Sequence, residues 1–244
     1  DNASINDGTM NETKNADIII IAAGKRQEPG QDRISLLNDN RKIIQSICNG
    51  MQPLQKNAII IMVTNPLDLM TYYAQQYAGL PRTQVFGSGT FLDTQRLRLM
   101  LSQKLSIAEQ SIHAYIIGEH GDTQFAAWSS AHIGDTPLHS FNVSEQDLKS
   151  MAQATKDKAY EIIACKGSTF YGIATCTAAL CRTIIFDEKR ATPVSCYLEQ
   201  YKVCMSMPVI LSKKGIEQIL PIPLNDQEKK NLEHSAQVLQ SYLK

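Results

Sequence analysis

Residues 16–24 read ADIIIIAAG, a run of four isoleucines that follows Ala16 and Asp17 and is followed by two alanines and a closing glycine. The hydrophobicity of this run is continuous rather than alternating, which is typical of a strand covered on both faces, as in a parallel sheet. The same signature returns in NAIIIMVTNP at 57–66 and, in a shorter form, in TQVFGSG at 83–89. The sequence therefore predicts three parallel strands within its first 89 residues.

Segments with apolar residues at helical spacing follow each of these predicted strands. They are ISLLNDNRKIIQSICNGM at 34–51, LDLMTYYAQQYAG at 67–79 after Pro66, and TFLDTQRLRLMLSQKL at 90–105. Alternation of strands and helices at this rhythm predicts an α/β fold built on a doubly wound parallel sheet.

The pattern changes after about residue 110. Residues 111–134 predict an antiparallel pair of strands with a turn near Gly121 and Asp122. Residues 144–187 predict helices interrupted around KGSTFYG (166–172), and three strands and a closing helix capped by Asn225 follow. The two regions meet near residue 88, and a cleft between them is where we expect a ligand.

Composition excludes several classes of partner. The 24 basic residues balance the 24 acidic ones, so we expect no bulk attraction to nucleic acid or to an anionic membrane. The sequence has no signal peptide and no apolar run long enough to span a bilayer, which favours a soluble, cytoplasmic protein. Six cysteines without CxxC pairs or metal-like spacing predict buried thiols in a reducing compartment and no metal site; they are Cys48, Cys165, Cys176, Cys181, Cys196 and Cys204.

Each candidate functional residue is a weak signal when it is taken alone. The GSG at 87–89 lacks the third glycine of a dinucleotide fingerprint, so a tight turn is the better interpretation. Asp93 and Arg96 share a helix face and could form an ordinary surface ion pair. Arg33 by itself is a solvated loop cation, and His120 by itself is a polar residue where a strand gives way to a turn.

Taken together, five segments carry a resemblance. ADIIIIAAGKRQEPGQDR, VTNPLD, FGSGTFLDTQRLR, HAYIIGEHGDTQ and KGSTFYG, in this order, resemble the L-lactate/malate dehydrogenase family, and most closely its bacterial L-lactate dehydrogenases. The resemblance runs from about residue 15 to the C terminus. It implies an incomplete Rossmann-type doubly wound parallel sheet at 1–88, followed by an α+β substrate domain at 89–244.

The resemblance leaves one part of the family pattern uncovered. The family's first strand, its glycine-rich turn and the acidic residue that ends its second strand would precede Asp1. We therefore expect the sequence to enter its protein partway through.

The resemblance also implies an activity, the NAD-dependent interconversion of pyruvate and L-lactate. His120 would give a proton to the alkoxide that hydride transfer leaves, a task suited to histidine at neutral pH. Asp93 would fix the ring tautomer and stabilise the imidazolium, and Arg96 would hold the substrate carboxylate through two parallel hydrogen bonds. Arg33, on a loop able to close over the site, would polarise the substrate carbonyl.

Further positions are carried over for cofactor and substrate binding. Asn65 and Thr169 would line the nicotinamide and substrate side, and Ser88 would lie near the carboxamide. Gly24 would let the main chain approach the cofactor phosphates. Gln27 stands where malate dehydrogenases carry an arginine, and its uncharged amide would face the methyl group of pyruvate.

Two more cations suggest regulation. Arg98 is two positions beyond Arg96, hence about 200° further round the helix. His113 is seven residues before His120, an odd separation that places it on the opposite face if the strand stays extended. The matching residues of bacterial L-lactate dehydrogenases bind fructose 1,6-bisphosphate across a dimer axis, which implies an allosteric homo-oligomer, a tetramer.

Two alternatives remain open from the sequence. The substrate could instead be malate or another L-2-hydroxy acid. The chain could also be a catalytically silent protein that keeps its substrate domain and assembly surfaces but cannot hold NAD.

Overall fold

The computed structural model describes residues 3–25, 36–167 and 169–243. Three parallel strands lie side by side, as the isoleucine-rich runs predict: β1 (Ile18–Ile21), β2 (Ile59–Met62) and β3 (Val85–Gly87). Each strand is shorter than the apolar run that predicts it, because the last residues of each run leave the sheet at its carboxyl edge. That edge is where open α/β sheets bind ligands.

Helices α1 (Leu37–Gly50), α2 (Leu67–Tyr77) and α3 (Phe91–Leu105) follow the three strands in turn. Helix α2 packs against α1, α6 (Asp226–Tyr242) and several strands, so that most of its side chains are buried. Its buried polar groups are satisfied within the fold: Thr71 Oγ1 donates to the carbonyl of Leu67 (2.8 Å) and Gln75 Nε2 to the carbonyl of Val85 (2.7 Å).

Three later strands extend the same sheet. Strands β9 (Arg190–Leu198), β10 (Val203–Ser212) and β11 (Gly215–Ile219) are antiparallel, and β9 joins β3 where Gly87 pairs with Ser195. The resulting order is β1-β2-β3-β9-β10-β11, a mixed six-stranded sheet. Both predicted regions therefore contribute strands to one sheet. The boundary between two domains at residue 88 stays a prediction.

Smaller elements carry the predicted turn around Gly121. Strand β5 (Ile116–Ile117) pairs antiparallel with β6 (Phe125–Ala126), as predicted. A separate small sheet holds β4 (Ile112–His113), β7 (His132–Ile133) and β8 (Thr136–Pro137).

The two helices predicted on either side of KGSTFYG are α4 (Glu145–Lys166) and α5 (Tyr171–Ile185). Gly167 ends α4 in the left-handed region (φ 74°), which glycine adopts without steric cost. Asn225 caps α6 as predicted, since its side chain accepts a hydrogen bond from the Glu228 amide. Among the described residues no helix is both long and apolar enough to cross a bilayer.

Three sequence-based expectations are wrong. Strand β1 is not covered on both faces: it is the outer strand of the sheet, and Ile20 is 48% exposed. Cys165 is exposed near the end of α4, although four of the other cysteines are buried. The chain does not stay extended from His113 to His120, because β4 and β5 belong to different sheets. The alternation argument for the orientation of His113 therefore does not apply.

Candidate active site

His120 lies in the turn between β5 and β6, and the surrounding sequence explains why the chain turns there. Gly118 has a φ of 90°, a conformation that side chains disfavour. Its amide and carbonyl both pair with Ser206 on β10, which fixes the end of β5 to the large sheet. Glu119 then closes the turn by accepting a hydrogen bond from Thr123 Oγ1 (2.5 Å).

The imidazole of His120 faces Asp93, which lies in the first turn of α3 and is 4% exposed. His120 Nδ1 and Asp93 Oδ2 are 3.1 Å apart, within ion-pair distance but not aligned as a hydrogen bond. Such contacts commonly tighten only when substrate binds. With Nδ1 turned to Asp93, Nε2 is the ring nitrogen that can face a substrate.

Arg96 lies on the same face of α3, one turn further along. Its Nη1 is 3.5 Å from Asp93 Oδ1, so the carboxylate stands between the imidazole and the guanidinium. A guanidinium has five N–H donors in a planar fork, and one contact with Asp93 leaves others for a ligand carboxylate. The structure thus brings together Asp93, Arg96 and His120, three residues that the sequence selects.

Asp68 also belongs to this site, although sequence reasoning gave it no role. Its Oδ2 accepts a hydrogen bond from the main-chain amide of His120 (2.6 Å), and its Oδ1 accepts one from Ser195 Oγ (2.5 Å). Burial raises the pKa of Asp68 to about 6, against the opposing effect of these hydrogen bonds. The signal available in the sequence was an aspartate in VTNPLD, directly after the carboxyl end of a buried strand.

A small cavity borders the turn. Its volume is about 20 Å³, which is room for one water molecule rather than a substrate. Helix α4 closes one side of it, where Lys156 Nζ donates to the carbonyl of Asp122 (2.8 Å) and Tyr160 contacts the Asp122 carboxylate. Its lining residues are Asp93, His120, Gly121, Asp122, Gln124, Lys156, Ala159 and Tyr160.

The carboxyl ends of β1 and β2 form the region expected to hold the cofactor. Asn40 ties them together, since its side chain accepts from the Lys25 amide (2.7 Å) and donates to the carbonyl of Asn65 (2.6 Å). A Cβ atom at Gly24 would lie 2.7 Å from Thr64 Cγ2, so the close approach of the two segments requires glycine. The exposed main chain at Gly24 and the exposed Asn65 fit a dinucleotide at this edge. Asn40 was missed, because a single asparagine in a helical pattern gives no local signal.

The remaining predicted residues are placed as follows. Ser88 is buried, and its amide donates to the carbonyl of Met62 (2.9 Å). It lies in a tight turn, as expected for GSG, because Gly89 has a φ of 55° and packs against the main chain of β9. Thr169 is partly exposed immediately before α5, which packs on α3. Arg33 and Gln27 lie outside the described residues, so their roles stay predictions.

Arg98 and His113 form a second cationic group. Arg98 Nε donates to the carbonyl of Ala114 (3.0 Å), and its guanidinium lies over the ring of Tyr115. His113 stacks on His132 with ring centroids 4.8 Å apart. Burial lowers the pKa of His113, and the nearby His132 and Arg98 lower it further. His132 is the member of this group that the sequence did not indicate.

No metal site accompanies these groups in the described ranges, where no cluster of three or more His, Cys, Asp or Glu side chains could hold an ion. The chemistry that the arrangement can perform is acid–base transfer at an imidazole, next to a cation able to bind a carboxylate.

Comparison with known proteins agrees with the chemistry that the site geometry allows. Residues 1–87 match the family model of the lactate/malate dehydrogenase NAD-binding domain, and residues 90–244 match that of the α/β C-terminal domain. L-lactate dehydrogenase A of Rhizopus oryzae is 44% identical over 235 residues, covering 96% of this chain and 73% of that protein. L-lactate dehydrogenase of Kosmotoga olearia is 43% identical, and the match covers 94% of this chain and 75% of that protein.

Solved structures agree with this match. A lactate dehydrogenase from a Medee basin deep-sea metagenome library superposes with a TM-score of 0.91 at 35% identity, covering 97% of this chain and 78% of that one. The ligand-bound minor L-lactate dehydrogenase of Enterococcus mundtii gives the same values. The two family models together account for nearly every residue, and the candidate residues Asp93, Arg96 and His120 lie within the C-terminal one. The chain therefore belongs to the lactate/malate dehydrogenase family.

Proposed function

We propose that this protein is an NAD-dependent L-lactate dehydrogenase that transfers hydride reversibly between pyruvate with NADH and L-lactate with NAD. One observation carries the proposal: the imidazole of His120 lies 3.1 Å from the buried Asp93 carboxylate, with the Arg96 guanidinium on the other side of that carboxylate. The names of the similar proteins, L-lactate dehydrogenases of a fungus and of bacteria, support the same reaction.

The residues of this chain have separate tasks in the proposed reaction. Bound NAD supplies or accepts the hydride. His120 moves the proton at Nε2: the imidazolium gives it to the forming alkoxide, and the neutral ring takes it from the lactate hydroxyl. Asp93 favours the imidazolium and holds Nδ1, and Arg96 binds the substrate carboxylate. Arg33 is assigned to the carbonyl oxygen, where negative charge develops.

A titration of NADH against the protein, followed by cofactor fluorescence, tests the proposal first. We expect saturable binding and pyruvate-dependent oxidation of the bound NADH. Binding without any turnover of pyruvate or oxaloacetate would contradict the proposed reaction. Absence of both binding and turnover would favour the silent alternative instead.

The choice of pyruvate over a dicarboxylate rests on Gln27. Its amide leaves no unpaired cation against the methyl group of pyruvate and offers no charge to a second carboxylate. A charge-assisted hydrogen bond is worth about 1.5–3 kcal/mol, which corresponds to about a ten- to hundredfold ratio in kcat/KM. We expect Gln27→Arg to shift preference toward oxaloacetate by that factor. A preference of the unaltered protein for oxaloacetate would instead make it a malate dehydrogenase.

Assembly, location and regulation form the second part of the proposal. We assign the protein to the cytoplasm, where it would serve glycolysis and fermentation as a homotetramer. Its six cysteines are free, as a reducing compartment favours. Fructose 1,6-bisphosphate would bind at Arg98 and His113, because a phosphate would offset the repulsion that, together with burial, lowers the pKa of His113. His132 stacks on His113 within this group.

Pyruvate saturation curves and sedimentation, each with and without the bisphosphate, test this regulation. We expect a lower KM and a higher tetramer content when the bisphosphate is present. Unchanged values would leave Arg98 and His113 as ordinary surface residues.

A further inference from the structure

Asp68 is a buried carboxylate to which the proposed chemistry gives no task. It is 2% exposed at the start of α2, although carboxylates are seldom fully buried unless they are paired. Its environment raises its pKa to about 6, so burial of this charge opposes folding at neutral pH. A group that is unfavourable for stability and adjoins a catalytic histidine calls for a functional explanation.

The contacts of Asp68 join the turn of His120 to the central sheet. One oxygen accepts from the His120 amide at 2.6 Å, and the other accepts from Ser195 Oγ at 2.5 Å. Ser195 is fully buried on β9, beside β3 in the sheet. The main chain of His120 is therefore connected to a rigid strand through two successive short hydrogen bonds.

Asp68 and Asp93 hold different parts of the same histidine. Asp93 contacts the ring at Nδ1, whereas Asp68 contacts the main-chain amide. Fixing the amide limits the position of Cα, and fixing Nδ1 limits the rotation of the ring. Together the two contacts determine where Nε2 lies, and a displacement of about 1 Å at a reacting atom can cost about a hundredfold in rate.

Two other ionisable groups lie close to Asp68. It interacts electrostatically with His120 across the turn, and Glu119 adds negative charge next to it. The Asp68 carboxylate therefore belongs to the immediate electrostatic environment of the imidazole.

We propose that Asp68 is a positioning residue of the active site, which holds the main chain of His120 against the central sheet. This inference rests on the proposed function only for its kinetic part. The restraint on the His120 amide can be measured in the absence of activity.

The first test compares Asp68→Ala with Glu228→Ala. Glu228 is a matched control, because it is also a buried carboxylate that accepts a main-chain amide of another segment, that of Ser129 (2.9 Å). Its hydrogen-bond partners, Ser129 and Asn225, are not among the candidate active-site residues. Amide hydrogen exchange at His120 and kcat for pyruvate reduction are measured for both variants. We expect Asp68→Ala to speed exchange at least tenfold and to lower kcat about a hundredfold. Glu228→Ala should lose stability but change neither quantity beyond about twofold.

The second test uses Asp68→Asn, which keeps the shape of the side chain and removes its charge. The amide oxygen can still accept from His120, and its NH₂ group can donate to a rotated Ser195 hydroxyl. We expect kcat to recover toward the unaltered value and amide exchange at His120 to slow again relative to Asp68→Ala, because the hydrogen bond to the His120 amide is kept. This variant keeps the inference testable if Asp68→Ala does not fold.

The outcomes separate this inference from the proposed function. Unchanged exchange at His120 in Asp68→Ala, or kinetic losses equal to those of Glu228→Ala, would overturn the positioning role. Amide exchange at His120 that is as fast in Asp68→Asn as in Asp68→Ala would likewise overturn it. Absence of pyruvate turnover in the unaltered protein would contradict the proposed function, whereas the exchange measurement would still decide whether Asp68 holds the turn.

Discussion

Replacing Asp93 by asparagine tests the centre of the proposed mechanism. The substitution preserves the size of the side chain and its place in the first turn of α3, but removes the charge that lies 3.1 Å from His120 Nδ1. The proton transferred in pyruvate reduction comes from the imidazolium, so the loss of this charge raises the free energy of the reactive form. It also leaves an amide that can turn its NH₂ group toward Nδ1 and favour the wrong tautomer.

The size of the effect follows from the geometry. Both charges are delocalised beyond the two contacting atoms, so a separation of roughly 4 Å between charge centres is appropriate, and the site is largely buried. Two unit charges at that distance interact by about 4 kcal/mol at an effective dielectric constant of 20. One decade in rate corresponds to about 1.36 kcal/mol, so the expected loss in kcat/KM is about a thousandfold. The dipole of the asparagine side chain recovers part of the lost interaction energy, so the expected loss in kcat/KM lies in the range of about a hundred- to ten-thousandfold.

The assay is the initial rate of NADH oxidation at several pyruvate concentrations, with thermal unfolding as the check on folding. Glu228→Gln serves as the matched control, since it makes the same change of carboxylate to amide at another buried position. Its kcat/KM should remain within about twofold of the unaltered value. Retention of more than a third of kcat/KM in a folded Asp93→Asn variant would remove Asp93 from the mechanism.

Three further predictions follow from individual contacts. Arg96→Lys replaces a planar fork by a point charge, so KM for pyruvate should rise about ten- to hundredfold in saturation kinetics, and an unchanged KM would argue against carboxylate binding there. Gly118→Ala should destabilise the fold by about 1–3 kcal/mol in urea unfolding, because φ is 90° and the new Cβ would lie 2.7 Å from Ser235 Oγ; an unaltered midpoint would contradict this. Burial raises the pKa of Asp68 to about 6 from 3.8, so the folded state binds this proton more tightly than the unfolded state does. Protonation of Asp68 therefore stabilises the fold fully below about pH 4, and this contribution is lost as pH rises through 6. The stability of Asp68→Asn relative to the unaltered protein should therefore rise by about 2.4 kcal/mol between pH 4 and pH 7 in urea titrations, and a constant difference would show that Asp68 does not titrate in this way.

Local patterns in the sequence determined most of the helices and strands, and the family motifs selected the candidate catalytic residues. A continuous apolar run predicts a strand within a parallel sheet because such strands are covered by helices, and β2 is buried along its whole length. A side chain that caps a helix acts within three residues, so Asn225 could be assigned from the sequence. Asp93 and Arg96 share a face because the period of the helix is fixed. The family motifs added His120 and the expected reaction.

Contacts between distant parts of the chain were decided only by the tertiary structure. The hydrogen bond from His120 to Asp68 spans 52 residues, and the one from Ser195 to Asp68 spans 127. Neither is encoded in a periodic pattern, since each depends on how α2, β9 and the turn pack together. The pairing of Gly87 with Ser195, which merges the predicted regions into one sheet, is of the same kind. Periodicity and capping are properties of a few neighbouring residues, whereas the burial and partners of a single carboxylate are properties of the whole packed fold.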